Sequence, residues 1–170
     1  HNFFYQKNIL YSDIINTDVI IFPLLISDKQ YFIYTKNYFY ENWNKESSKD
    51  LIQYTLPAEN IESIQKIKLN RENIHEINIE DFFKEYNLEN MAFATIKINQ
   101  NIAKVFLNTK IAGKKLNKNL LINNPGLNQK QFNNRVISEI KNVIRDLIKS
   151  QNLIDVRTPS FLNVKIKLDN

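Results

Sequence analysis

Residues 19–26 read VIIFPLLI. An unbroken apolar run of strand length, rich in branched side chains, has no polar face to offer water. It predicts a strand buried on both faces. Pro23 within it has no N–H to give a ladder, so one side of that strand must be an edge or a bulge at that point. Ser27-Asp28-Lys29 reads as a polar turn and Gln30–Thr35 as a second strand, which together make a hairpin.

The rest of the chain alternates helix and strand signals. Residues 37–46 lack strand alternation and predict one or two helical turns. Leu51–Leu56 reads as a short strand closed by Pro57, and Ala58–Lys66 as a short helix whose Ile61, Ile64 and Ile67 recur at near-helical spacing. Residues 68–76 are polar and read as loop. Asn78 is placed to cap a helix with Glu80 and Asp81 in its first turn, where negative charge suits the exposed amides, and with Phe82, Phe83 and Tyr86 on its apolar side. Met91–Ile98 and Ile102–Lys110 form a strand pair around Asn99-Gln100-Asn101, and Leu116–Ile122 extends the meander.

Asn123-Asn124-Pro125-Gly126 breaks the pattern. A long helix follows, about Asn128 to Gln151. Its apolar stripe is Phe132, Val136, Ile140, Val143, Ile144, Leu147 and Ile148. Phe161–Leu168 then alternates as a final strand. The expected fold is an α/β or α+β sandwich, with a mixed sheet of about five to seven strands, helices packed on it, and a last strand after the long helix. With 170 residues, 43% of them hydrophobic, and no linker or repeat, the chain 1–170 reads as a single domain.

Composition narrows the chemistry. The net charge of +5 could seek nucleic acid or an anionic surface, but the basic residues are spread along a Lys-, Asn- and Ile-rich chain, a bias that AT-rich coding also produces. There is no cysteine, hence no disulfide, thiolate metal site or Cys nucleophile. The apolar runs are strand-length, too short for a transmembrane helix. The chain begins at His1, which reads as a processed or trimmed product.

Two glycines are too few for phosphate cradles or dinucleotide turns, which need close backbone approach. The two histidines, His1 and His75, accompany no nucleophile motif. Glu80, Asp81 and Glu85 are the best carboxylate cluster. Asp81 and Glu85 would share a helical face, but acids at a helix start have a structural reason to be there. No catalytic residue, metal ligand or cofactor is expected.

The segment YFIYTKNYFYENWNKE, residues 31–46, poses the main functional question: base-stacking platform or core. Alternation sends Tyr31 and Ile33 to one face and Phe32 and Tyr34 to the other, so the rings read as packing, with the Tyr tips free to stay polar. Lys141, Arg145 and Lys149 repeat every four residues and read as a solvated helix face before a nucleic-acid contact.

VIIFPLLISDKQYFIY followed by Asn37-Tyr38-Phe39-Tyr40-Glu41-Asn42-Trp43 resembles a proteobacterial family of unknown function, often predicted to be exported. Its members carry an Asn-Pro-Trp-x-x-Ala-Trp-like element. Asn37 and Trp43 keep the outer spacing, while Tyr38 and Phe39 stand where Pro and Trp are usual. Tyr54-Thr55-Leu56-Pro57-Ala58-Glu59 resembles the family's short strand ending in proline, without the usual Gly-Asp. Asp81–Tyr86 followed by Met91–Ile96 resembles its helix-to-strand step. The similarity covers about residues 18–110, and residues 153–163 look like homologues from AT-rich marine alphaproteobacteria. The layout is similar to the small α/β domain that opens the periplasmic Tol-system propeller protein and some lipoprotein activators of cell-wall synthases.

The resemblance implies no enzyme activity and no known ligand. It implies an accessory or protein-interaction module of the cell envelope, periplasmic or otherwise exported, with a cytoplasmic location as the alternative. The expected structural anchors are Asn37, Trp43, Tyr54 and Pro57. A surface for a protein partner, or in the rival reading for nucleic acid, would draw on Tyr31, Tyr34, Lys36, Lys141, Arg145 and Lys149.

Overall fold

The structure, a computed structural model, describes residues 17–45 and 51–157. A mixed six-stranded sheet forms its middle layer. The central strand is β1 (Thr17–Ser27), and residues 19–26 are all buried. One edge of β1 carries β4 (Asn90–Ile98) in parallel, from Val19 opposite Asn90 to Ile26 opposite Lys97. The other edge is shared. β3 (Ile52–Thr55) pairs in parallel with Thr17–Ile20, and β2 (Gln30–Phe32) pairs antiparallel with Leu25–Ser27. Between these short partners the edge has a gap, and Pro23 lies in it. Its carbonyl faces the gap, and a residue's N and O leave a strand on the same side, so the missing N–H costs no ladder bond to β4.

β5 (Ile102–Ile111) and β6 (Lys114–Asn123) complete the sheet antiparallel beyond β4. The β4–β5 turn is held by Asn99 Oδ1, which accepts from the backbone N–H groups of Asn101 and Ile102. The β5–β6 turn places Ala112 and Gly113 at φ +50° and +77°, the left-handed pair that a two-residue hairpin requires. Asp28 and Lys29 adopt the same conformation between β1 and β2, at φ +48° and +63°, without a glycine.

Strand alternation feeds two cores. On one face Val19, Ile21 and Leu25, with Ala92, Ala94 and Ile96, meet the long helix α4 (Gln129–Arg157) through Phe132, Val136, Ile140 and Ile144. Here α1 (Tyr38–Asn42) adds Phe39, and Trp43 follows it. On the other face Ile20, Phe22, Leu24 and Ile26 meet α2 (Ile61–Leu69), a 3-10 helix (Arg71–Glu76) and α3 (Ile79–Phe82). Burying each such Ile, Leu or Phe contributes roughly 1.5–3 kcal/mol, so β1 draws stability from both layers. A reciprocal cap starts α4: Gln131 N–H donates to Asn128 Oδ1, and Asn128 N–H to Gln131 Oε1.

The mixed sheet with helices packed on it and a long late helix is the expected α+β architecture. Three local expectations change. The strand from Gln30 ends at Phe32, because the chain turns at Lys36 (φ +60°) into the Asn37 cap. Residues 71–76 are a 3-10 helix pinned by buried Ile74, not loop. α3 stops at Phe82, so Asp81 and Glu85 do not share a helical face. The expected strand at 161–168 lies outside the described residues.

Candidate functional site

The aromatic segment is tied into the molecule by its own polar atoms. Asn37 is fully buried at the gap in the β1 edge. Its Nδ2 donates to the carbonyls of Pro23 (2.7 Å), Phe32 (2.8 Å) and Ile33 (3.1 Å). Its Oδ1 accepts from the N–H groups of Phe39 and Tyr40, which caps α1. Tyr31 donates to the Arg71 carbonyl, Tyr34 to Ala58, Tyr38 to Asn134 Oδ1, and Tyr40 to the carbonyl of buried Pro57. Phe22, Tyr34 and Tyr40 pack ring against ring at 5.0–6.2 Å.

Trp43 is 0% exposed, with Tyr54 edge-on at 5.8 Å. Lys141, 4% exposed, reaches across from α4 and donates to the Trp43 carbonyl at 2.8 Å. Its ammonium lies 5.7 Å from the Trp43 ring and 5.3 Å from the Tyr54 ring. The row Lys141, Arg145, Lys149 is therefore not one solvated face. A four-residue step overshoots a helical turn by about 40°, so the row rotates outward from the core seam. Lys141 is buried, Arg145 half-buried beside Asn142, and Lys149 exposed.

The six residues expected on an interaction surface do not form one. Tyr31 and buried Tyr34 belong to the α2 side of the sheet, so Tyr34 does not share the face of Phe32 as alternation predicted, because the strand ends at Phe32, while Lys141, Arg145 and Lys149 belong to the α4 side. Lys36 is exposed at the turn before α1. Two members of the carboxylate cluster are taken up in ion pairs. Glu80 pairs with Lys110 at 2.5 Å and Lys115 at 3.9 Å, and Asp81 pairs with Lys66 at 3.2 Å. The hydrogen bond and charge of Lys110 hold Glu80 below the usual carboxylate range, which opposes any role as a proton donor. Among the described residues no group of three His, Asp or Glu could hold a metal.

The α2, 3-10 and α3 layer covers β1 and much of β4, while on the same side of β6 Lys115, Asn117, Asn119 and Leu121 are exposed. A cleft of about 850 Å³ lies between the β1–β2 turn, the start of the 3-10 helix and the β4–β5 hairpin. Lys29, Arg71, Lys97 and Lys104 line it, with Asp28 and Glu72. None of the four cations makes an ion pair with a described residue. Lys97 and Lys104 stand directly opposite each other across the hairpin, an unfavourable like-charge pair. Arg71 is held in place, its guanidinium 4.6 Å from the Tyr31 ring and donating to the Lys29 carbonyl.

Past Lys97 and Lys104 the cleft continues into a hollow of about 420 Å³ lined by His75, Thr95, Phe106 and Leu121. His75 packs on Phe106 at 4.6 Å, and burial, then the charge of Lys97, pull its pKa below the ordinary imidazole value. Leu121 is 63% exposed at the rim. Thr95 Oγ1 is buried and has no hydrogen-bond partner among the described residues. Thr95→Val is expected to raise stability by about 1 kcal/mol in a urea melt, because the hydroxyl has no bond to lose. A loss of similar size would reveal a bridging water.

Sequence reading missed this cleft, since its cations are scattered among many other lysines. One signal was available: the hairpin register around Asn99-Gln100-Asn101 sets Lys97 against Lys104.

No family model matches this chain, and no curated protein matches it. Among solved structures, the crystal structure of lipoprotein GNA1162 from Neisseria meningitidis is similar, with 14% identity and a TM-score of 0.40. The match covers 75% of this chain and 96% of that one. Among the described residues, no helix is long and apolar enough to cross a membrane.

Proposed function

We propose that this chain is a non-enzymatic accessory domain of the bacterial cell envelope that acts through protein contact, with the Lys97–Lys104 cleft as its contact surface. The observation that carries the reading is the set of four convergent cations without an intramolecular ion pair among the described residues. Charge gathered against its own repulsion, beside an exposed leucine and an open sheet surface, suits a complementary partner. The envelope assignment rests on the likeness of residues 18–110 to a family often predicted to be exported. The other polar clusters have structural work: Asn37 closes the sheet gap, Lys141 caps the Trp43 carbonyl, and Glu80 binds Lys110.

Photocrosslinking in the cells that make the protein tests this. A benzophenone amino acid at Leu121 is expected to yield a discrete protein adduct in the envelope fraction. The same probe at Leu69, exposed on α2, is expected to yield none. An adduct from Leu69 alone, or only nucleic acid captured at Leu121, would overturn the assignment.

A further inference from the structure

We infer that the cleft takes an extended acidic segment of its protein partner, with carboxylates on Lys29, Lys97 and Lys104 and an apolar side chain in the hollow at Phe106 and Leu121. This rests on the protein-contact reading above and adds the chemistry of the partner.

Charge complementarity selects the sign. Lys97 and Lys104 repel each other in the free protein, and a carboxylate between them turns that repulsion into two attractions. Arg71 is fixed over Tyr31, so one cation is already oriented.

Shape and stacking select the class. Single-strand nucleic acid needs open aromatic faces beside its basic groove. Here Arg71 covers Tyr31 and His75 packs on Phe106. A membrane surface needs apolar groups that protrude beyond the cations. Here the cations line a concavity, Phe106 is half-buried in its extension, and one exposed apolar side chain, Leu121, stands at the rim, too little apolar surface for insertion. A strand-like peptide rises about 3.3 Å per residue and turns alternate side chains the same way. It can therefore lay a carboxylate on the lysine pair and an apolar group in the adjoining hollow.

The test uses a fluorescent Glu- and Asp-rich peptide with a central Leu, titrated against the full chain by anisotropy. Binding is expected to weaken steeply with added salt. It is expected to fall at least about tenfold in the double variant Lys97→Glu, Lys104→Glu. A Lys-rich counterpart is expected to bind that variant better than the parent, a gain that a misfolded variant could not give. Leu121→Asp is expected to abolish the preference for Leu over Ser at the peptide centre.

Equal affinity for a peptide with Gln in place of Glu and Asp overturns the inference. So does tighter binding of single-stranded DNA, or of vesicles of anionic phospholipid, that the double variant abolishes. A crosslink from Leu121 combined with failure of the acidic peptide removes the acidic chemistry and leaves the contact reading in place. Failure of both removes the contact reading as well.

Discussion

Trp43→Ala is expected to cost about 3–5 kcal/mol of folding stability, measured as the shift in the urea or thermal transition. The ring is fully buried between Phe39, Tyr54 and α4, in a core that also holds Phe132 and Ile140. Its removal leaves a large cavity at the end of α1, and Lys141 loses one of the two rings beside its ammonium. Trp43→Phe separates ring from indole N–H. Trp43 Nε1 is buried without a partner among the described residues, so Phe forfeits no hydrogen bond there and is expected to cost less than Ala, through the smaller cavity alone. An alanine variant that melts within about 1 kcal/mol of the parent would place the ring outside the core and undo this account.

Trp43 and Lys141 also show where sequence reading stops. The apolar run 19–26 was legible as a doubly buried strand because a continuous hydrophobic stretch allows little else. The long helix was legible because its stripe repeats over many turns. Pro23 announced an edge or a bulge on one side of that strand, where the structure has a gap between β3 and β2. What fills the gap was not legible, because it needs the return of the chain through Phe32, Ile33 and Asn37. The 3-10 helix at 71–76 has one buried apolar anchor, Ile74, and too few residues for any period to register. In sequence Lys141 is one member of an ordinary i, i+4 row. Its burial follows from the few tens of degrees by which that row drifts off the core seam, which shows only once the helix is docked.

The cleft escaped for a related reason. Lys29, Arg71, Lys97 and Lys104 come from three separate parts of the chain. Two unlike pairings bring them together: the antiparallel hairpin of β4 with β5, and the parallel step from β1 to β4. A parallel pairing joins segments whose register no local turn sets, so the approach of Lys29 to Lys97 depends on the whole crossover between β1 and β4. The hairpin half of the site could be read from sequence, and the crossover half could not.

Asn37→Ala is expected to cost about 3–5 kcal/mol, the sum of a lost helix cap and of buried carbonyls left without a donor. Alanine alone cannot separate those two roles, but Asn37→Asp can. Aspartate at this position would cap α1 as well as asparagine does, since the oxygen that accepts from Phe39 and Tyr40 is retained. Its second oxygen would replace the amide that donates to Pro23, Phe32 and Ile33, and would bring negative charge against three carbonyl oxygens in a site with no access to water. If capping were the main contribution, Asn37→Asp would be nearly neutral. The geometry instead requires it to be at least as damaging as Asn37→Ala. Burial favours the protonated acid, whose single O–H restores at most part of the donation, so the deficit is expected to shrink as pH falls toward the carboxylate range. A near-neutral Asn37→Asp at pH 7 would mean that the edge of β1 at Pro23 is closed by something other than this amide.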